Sequence, residues 1–234
     1  MPRCQRTFRY LGDGTVTFGA GTGTWTCPNC PDHETYTTVR DADLLAYATF
    51  AQNAGIAEFG TPADVKRPVV LLWGMRPECV YEPTDRHYEI YLAAGSDPWQ
   101  ARLQMGHEIF HRVAGEGKVF HWTHEMLACL FSVRLLKRSG LADYAEQITA
   151  QYDIEAENCP LSTLLRADPW REAAYPPGYY GRAFVTGVAL KNVVGYPALC
   201  RLARTHGPAG MPDVAAWLAP LPPAEQNAIE SVLR

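Results

Sequence analysis

Long hydrophobic runs are missing from this chain. No stretch approaches the roughly 20 apolar residues that a membrane helix needs, so no membrane association is expected. A dominant charge is missing too. Of the 234 residues, 20% are charged, 25 acidic against 21 basic, for a formal net charge of -4 and a pI near 6.0. That balance gives no general attraction to nucleic acid or to an anionic bilayer, and neither partner is expected. Cysteine is too sparse and irregular for a disulfide scaffold. The seven are Cys4, Cys27, Cys30, Cys79, Cys129, Cys159 and Cys200, an odd number, which points to a reducing compartment. Met1-Pro2-Arg3-Cys4-Gln5-Arg6 leads into no apolar stretch, so no secretory leader is expected and the location reads as cytoplasmic. The run Gly19-Ala20-Gly21-Thr22-Gly23-Thr24 lacks the Gly-Lys-Ser/Thr ending and the following helix of a phosphate loop, which argues against phosphate binding. No internal repeat or low-complexity tract is visible.

What is present is ample apolar material. Hydrophobic residues make up 47% of the chain, enough for a sizeable core in one domain, or one domain with a small appendage. Glycine (19) and proline (18) are both somewhat high, which suggests many short elements. Thr7–Leu11 and Thr15–Phe18 flank Gly12-Asp13-Gly14, a hairpin signal. Asp41 can cap a helix running to about Glu58, with Leu44, Leu45, Ala48 and Ala51 as its apolar face. Val69–Trp73 and His87–Ala93 read as strands. Asp97-Pro98 is a cap followed by proline at the first helical position, and the helix it opens runs to about Val113, before Gly115-Glu116-Gly117. Thr123 can cap a helix through Lys137, with Gly140 as its stop, and further helices are expected at Leu141–Glu157, Tyr179–Val194, Pro197–Thr205, Pro212–Leu218 and Ala224–Leu233. Strands first and helices second predict an α+β arrangement, with a strand-rich lobe over 1–114 and a helical lobe over 115–234.

The segment that carries chemistry is His107-Glu108-Ile109-Phe110-His111, inside the helix that starts at Pro98. Residues four apart share a helix face, so His107 and His111 can grip one zinc ion while Glu108 points toward its water. A catalytic zinc usually takes a third protein ligand. Glu116 lies in a glycine-rich turn and reads as a solvated side chain. Glu125 opens a helix that continues Met126-Leu127-Ala128-Cys129-Leu130-Phe131-Ser132-Val133, apolar enough to be largely buried. A carboxylate there needs the helix N-terminus or a cation as partner. His121 is the reserve ligand, and His124 reads either as a side chain just behind the ligands or as an exposed neighbour.

His107–His111 followed by Glu125 resembles the gluzincin clan of zinc metallopeptidases, whose fold is a thermolysin-like zincin domain. Within the clan, Trp122-Thr123-His124-Glu125-Met126-Leu127-Ala128 resembles the Trp-Leu-Asn-Glu-Gly-Phe-Ala segment of the M1 aminopeptidase family, where the Glu is the third zinc ligand. Thirteen residues separate His111 from Glu125, a shorter connection than that family usually has. Glu125-Met126-Leu127-Ala128-Cys129-Leu130-Phe131 is more distantly similar to a pattern of the ImmA/IrrE-like peptidases. Tyr180-Gly181-Arg182-Ala183-Phe184, leading to Leu190-Lys191-Asn192-Val193-Val194-Gly195, resembles the M1 segment that opens with the tyrosine donating to the tetrahedral oxyanion. The resemblance gives that role to Tyr180, with Tyr179 as the adjacent competitor. The chain lacks the Gly-Ala-Met-Glu-Asn strand that holds the substrate amino terminus in that family. Gly74-Met75-Arg76-Pro77-Glu78 is a faint echo of it, and Pro77 would spoil a pairing strand.

Cys27, Cys30 and His33, with Cys4 as a fourth, could hold a structural metal, but a second Cys-x-x-Cys is absent. Pro176-Pro177-Gly178 is a rigid turn just before Tyr180. The function expected from all this is zinc-dependent hydrolysis of peptide bonds in intracellular proteins or peptides, with endopeptidase action favoured because the amino-terminal anchor is absent. The alternatives are an aminopeptidase, a non-peptide amide hydrolase, or a non-catalytic binding module on the same fold. The last is disfavoured by Glu108, since a purely structural zinc site needs no general base.

Overall fold

The computed structural model describes residues 24–26, 35–62, 67, 69–82, 87–114, 121–166, 175–206 and 212–234. The expected hairpin at 7–18, the glycine-rich run, the Cys27 cluster and Glu116 lie outside the described residues. The chain divides into two compact units, Met1–Lys118 and Val119–Arg234.

The first unit is a mixed sheet with two helices. The strands are β1 (Thr24–Thr26), β2 (Thr35–Thr38), β3 (Val69–Gly74), β4 (Glu78–Glu82) and β5 (His87–Ala93), in the order β1-β2-β3-β5-β4. All pairs are antiparallel except β3 with β5. The connection 75–77 therefore steps over the end of β5. Two inter-strand spacings of roughly 4.8 Å lie within reach of the four Cα steps, each about 3.8 Å, from Gly74 to Glu78. Pro77 sits just ahead of β4, where its missing N–H costs no ladder bond.

Strand β5 has a neighbour on each side, β3 and β4, and burial on both faces fits that interior place. Tyr88, Ile90 and Leu92 are fully buried on one face, while Tyr91 joins Val70, Leu72 and Val80 on the other. Each such apolar side chain stabilises the fold by about 1.5–3 kcal/mol. Glu89 is also buried, and the Tyr91 hydroxyl donates to its Oε2 at 2.6 Å.

Helix α1 (Ala42–Phe59) starts as expected, with Asp41 Oδ1 accepting from Leu44 N at 2.9 Å. Helix α2 (Pro98–Ala114) is capped by Asp97 Oδ1, which accepts from Trp99 N and Gln100 N at 2.9 and 2.8 Å. Gln104 fixes α2 to the end of β5 by accepting from Ala93 N at 2.9 Å and donating to Ser96 Oγ at 3.1 Å. Further along α2, the buried Arg112 guanidinium lies over the Tyr88 ring at 5.3 Å, and Phe110 meets Phe59 of α1 edge-on at 5.0 Å.

The second unit is helical among its described residues: α3 (Trp122–Arg138), α4 (Ala142–Ala156), α5 (Leu161–Arg166), α6 (Tyr179–Val194), α7 (Tyr196–Leu202), α8 (Val214–Leu218) and α9 (Pro223–Val232). A small mixed sheet followed by a largely helical half is the α+β zincin-like arrangement the sequence predicts. Helix α3 is buried along nearly its whole length, and Gly140 (φ 82) ends it while Leu141 N donates back to Leu136 O at 2.9 Å. Its start differs from expectation. His121 is the cap, its Nδ1 accepting from Thr123 N at 3.3 Å, so the helix begins one residue before Thr123.

Helix α6 is clamped to its neighbours at glycines. A Cβ on Gly181 would lie 2.5 Å from Tyr152 O of α4, and one on Gly187 would lie 2.7 Å from Leu130 Cδ1 of α3. Arg182 then donates to the carbonyls of Ala156, the last residue of α4, and of Cys159 just beyond it, both at 2.6 Å. No single described helix is long and apolar enough to cross a membrane.

Candidate metal centre

His107 and His111 project from the same face of α2, one turn apart. Their Nε2 atoms are 3.1 Å apart and the rings meet at 68°. Two nitrogens bound tetrahedrally to one zinc at 2.0–2.1 Å would be separated by roughly 3.3 Å, so the pair is close to chelating distance. The buried Phe110 packs edge-on against the His111 ring at 5.7 Å. Both histidines are partly buried, whereas Glu108 between them is buried.

Glu125 completes the set. One ligand atom from each of His107, His111 and Glu125 falls within 4.8 Å of the others, and this is the one such group among the described residues. The third ligand predicted from the sequence is therefore brought to the two histidines. Glu125 is buried in the first turn of α3, where unsatisfied N–H groups and the helix dipole favour a carboxylate. His121 is not in the group; its Nδ1 faces Thr123, 2.7 Å from Oγ1, and burial pulls its pKa below 6.5. His124 is fully buried, with its ring 6.2 Å from that of His206.

No family model matches the chain, and the search of curated proteins finds no match. Geometry and residue type are thus what speak for function here. His107-Glu108-x-x-His111 with a distal Glu125 is the metal-binding and catalytic arrangement of the gluzincin metallopeptidases, and it marks the chain as a metal-dependent hydrolase of peptide or amide bonds. Two imidazoles and one carboxylate form the three-ligand donor set of a catalytic divalent site.

Three tyrosines gather at the start of α6. Tyr179 is buried and Tyr180 partly buried, with ring centroids 5.9 Å apart. A third tyrosine, Tyr175, which sequence reasoning missed, reaches Glu125. Its hydroxyl donates to Glu125 Oε1 at 3.1 Å. Burial, followed by the charge of Glu125, pushes the Tyr175 hydroxyl far above the ordinary tyrosine range, so it keeps its proton and remains a donor. The available signal was its place immediately before Pro176-Pro177-Gly178, a turn stiff enough to aim a side chain.

Proposed function

We propose that the protein is a zinc-dependent endopeptidase acting on peptide bonds of intracellular proteins or peptides. The observation that carries this reading is the grouping of ligand atoms from His107, His111 and Glu125 within 4.8 Å of one another, with Glu108 next to His107 in the chain. The donor set suits zinc better than magnesium or calcium, which prefer all-oxygen sites, and better than cuprous copper, which prefers thiolates. A two-histidine, one-carboxylate set also accommodates ferrous iron; the adjacent Glu108 favours zinc, because a general base is what hydrolysis requires.

In this mechanism His107, His111 and Glu125 hold the ion. When bound, it supplies Lewis-acid chemistry, lowering the pKa of a water and polarising the scissile carbonyl. Glu108 accepts the proton of the attacking water and delivers it to the leaving amine. Tyr180 donates a hydrogen bond to the developing oxyanion. Its partial exposure supports this assignment over the buried Tyr179.

Within the clan, the segments 122–128 and 180–195 support kinship with an M1 catalytic domain, and 125–131 a more distant one with ImmA/IrrE-like peptidases. Endopeptidase action is favoured over aminopeptidase action because the echo of the amino-terminal anchor, 74–78, is no continuous strand: β3 ends at Gly74 and β4 starts at Glu78. Digestion of a peptide library by the zinc-loaded protein, read by mass spectrometry, tests the proposal. Internal cleavages are expected. Successive single-residue losses from free amino termini would make it an aminopeptidase, and no cleavage at all would favour a binding module.

A further inference from the structure

We infer that Tyr175 is a positioning residue for the metal ligand Glu125, holding the carboxylate in one orientation through the hydrogen bond from its hydroxyl to Oε1. The inference rests on the assignment of Glu125 as a ligand. A glutamate has several rotatable bonds, and a ligand that must be ordered by the ion binds it more weakly than one ordered in advance. The hydrogen bond, at 3.1 Å, takes up only part of the acceptor capacity of one oxygen, so both oxygens can still face a cation.

The donor is itself held. The Tyr175 ring lies against Tyr179 at 4.7 Å and Tyr180 at 5.1 Å. Two prolines follow it, and Gly178 then takes a left-handed conformation (φ 74) as the cap of α6, with Tyr179 N donating to Pro176 O at 3.1 Å. A Cβ on Gly178 would run into the Glu155 carbonyl, and Arg182 binds the end of the same helix α4. The chain entering α6 is thereby fixed to α4, and α6 packs on α3 at Gly187, so both partners of the hydrogen bond sit on one assembly of helices. The hydroxyl is the group that bonds Glu125. The ring contacts to Tyr179 and Tyr180 survive its removal, so Tyr175→Phe deletes that hydrogen bond and keeps the ring in place.

The test is zinc affinity, measured by competition with a chromophoric chelator, for wild type and Tyr175→Phe. The variant should bind zinc about ten- to a hundredfold more weakly, the usual consequence of removing a partner behind a metal ligand. Its cobalt(II)-loaded form should show a shifted absorption spectrum, which a merely structural role would leave unchanged. In a Glu125→Ala background, whose residual affinity is read by direct titration at high zinc, Tyr175→Phe should weaken zinc binding no further, because the group it orients is gone. An unchanged affinity and spectrum in Tyr175→Phe would overturn the inference, as would an equal loss in both backgrounds. A wild-type protein that binds no zinc would instead overturn the metal-site assignment on which it rests.

Discussion

Replacing Gly181 with alanine tests whether the approach of α6 to α4 fixes the tyrosines near Glu125. The new Cβ would lie 2.5 Å from Tyr152 O, 2.7 Å from Glu155 Cβ and 2.8 Å from Ala156 N, where ordinary contact begins at 3.4 Å. The deficits are 0.9 Å at Tyr152 O and 0.6 Å at Ala156 N, and both atoms belong to backbone that cannot rotate away. Overpacking of this kind costs about 1–3 kcal/mol. Alanine gains back up to about 1 kcal/mol over glycine through helix propensity. Because backbone atoms cannot yield, the upper end of that cost applies, and the net expectation after the propensity gain is a loss of about 2 kcal/mol. Gly187→Ala is the internal control. Its Cβ would meet Leu130 Cδ1 at 2.7 Å and Met126 Cγ at 2.8 Å, side-chain atoms that can shift to other rotamers, and its propensity gain is comparable. Its loss should stay within about 1 kcal/mol. Urea denaturation followed by far-ultraviolet circular dichroism measures both. A Gly181→Ala variant as stable as wild type, or less damaged than Gly187→Ala, would refute the idea that backbone contact sets this helix pair.

Glu108→Gln should retain zinc and fold while reducing turnover about a hundredfold or more, separating base from ligand by metal analysis and kinetics on the same sample. Tyr180→Phe should lower kcat about ten- to a thousandfold with KM nearly unchanged, as for a donor acting mainly in the transition state; an unaltered kcat would move the role to another group. His121 caps α3 as a neutral acceptor, and burial lowers its pKa from 6.5. The unfolded chain therefore takes up its proton first, and stability from this group, complete above 6.5, falls as the pH drops through the folded value. Between about pH 7.5 and 5.5, the urea midpoint of wild type should fall more than that of His121→Asn, which keeps a capping side chain without the titration.

Much of the metal centre was legible because its signals are local. Asp97-Pro98 and the His107–His111 spacing lie within one helix, and the apolar run after Glu125 marks a buried carboxylate regardless of what surrounds it. Helix α6 was equally readable, being bounded by Gly178 and Gly195. Other features depend on distance or on unusual usage. Strand β4 begins straight after Pro77 with a charged residue at each end, and only its pairing with β5 makes it a strand. A histidine cap on α3 runs against ordinary capping preferences, so Thr123 drew the assignment instead. The local sign of Tyr175, its place before Pro176-Pro177-Gly178, did not name its partner, because Glu125 lies 50 residues away in sequence and the two meet only once α6 packs on α3 and α4.

Bound zinc in wild type and in His111→Ala, both purified from zinc-replete cells and compared by elemental analysis, tests the central claim most directly. Wild type should carry roughly one zinc per chain at this site, and the variant should carry roughly one fewer, since two remaining protein ligands rarely retain the ion. The difference is the telling quantity, because a second ion at Cys27 and Cys30 would raise both totals equally. A wild-type protein free of zinc, or a His111→Ala variant with as much zinc as wild type, would contradict the assignment of His107, His111 and Glu125 as the metal centre of a hydrolase.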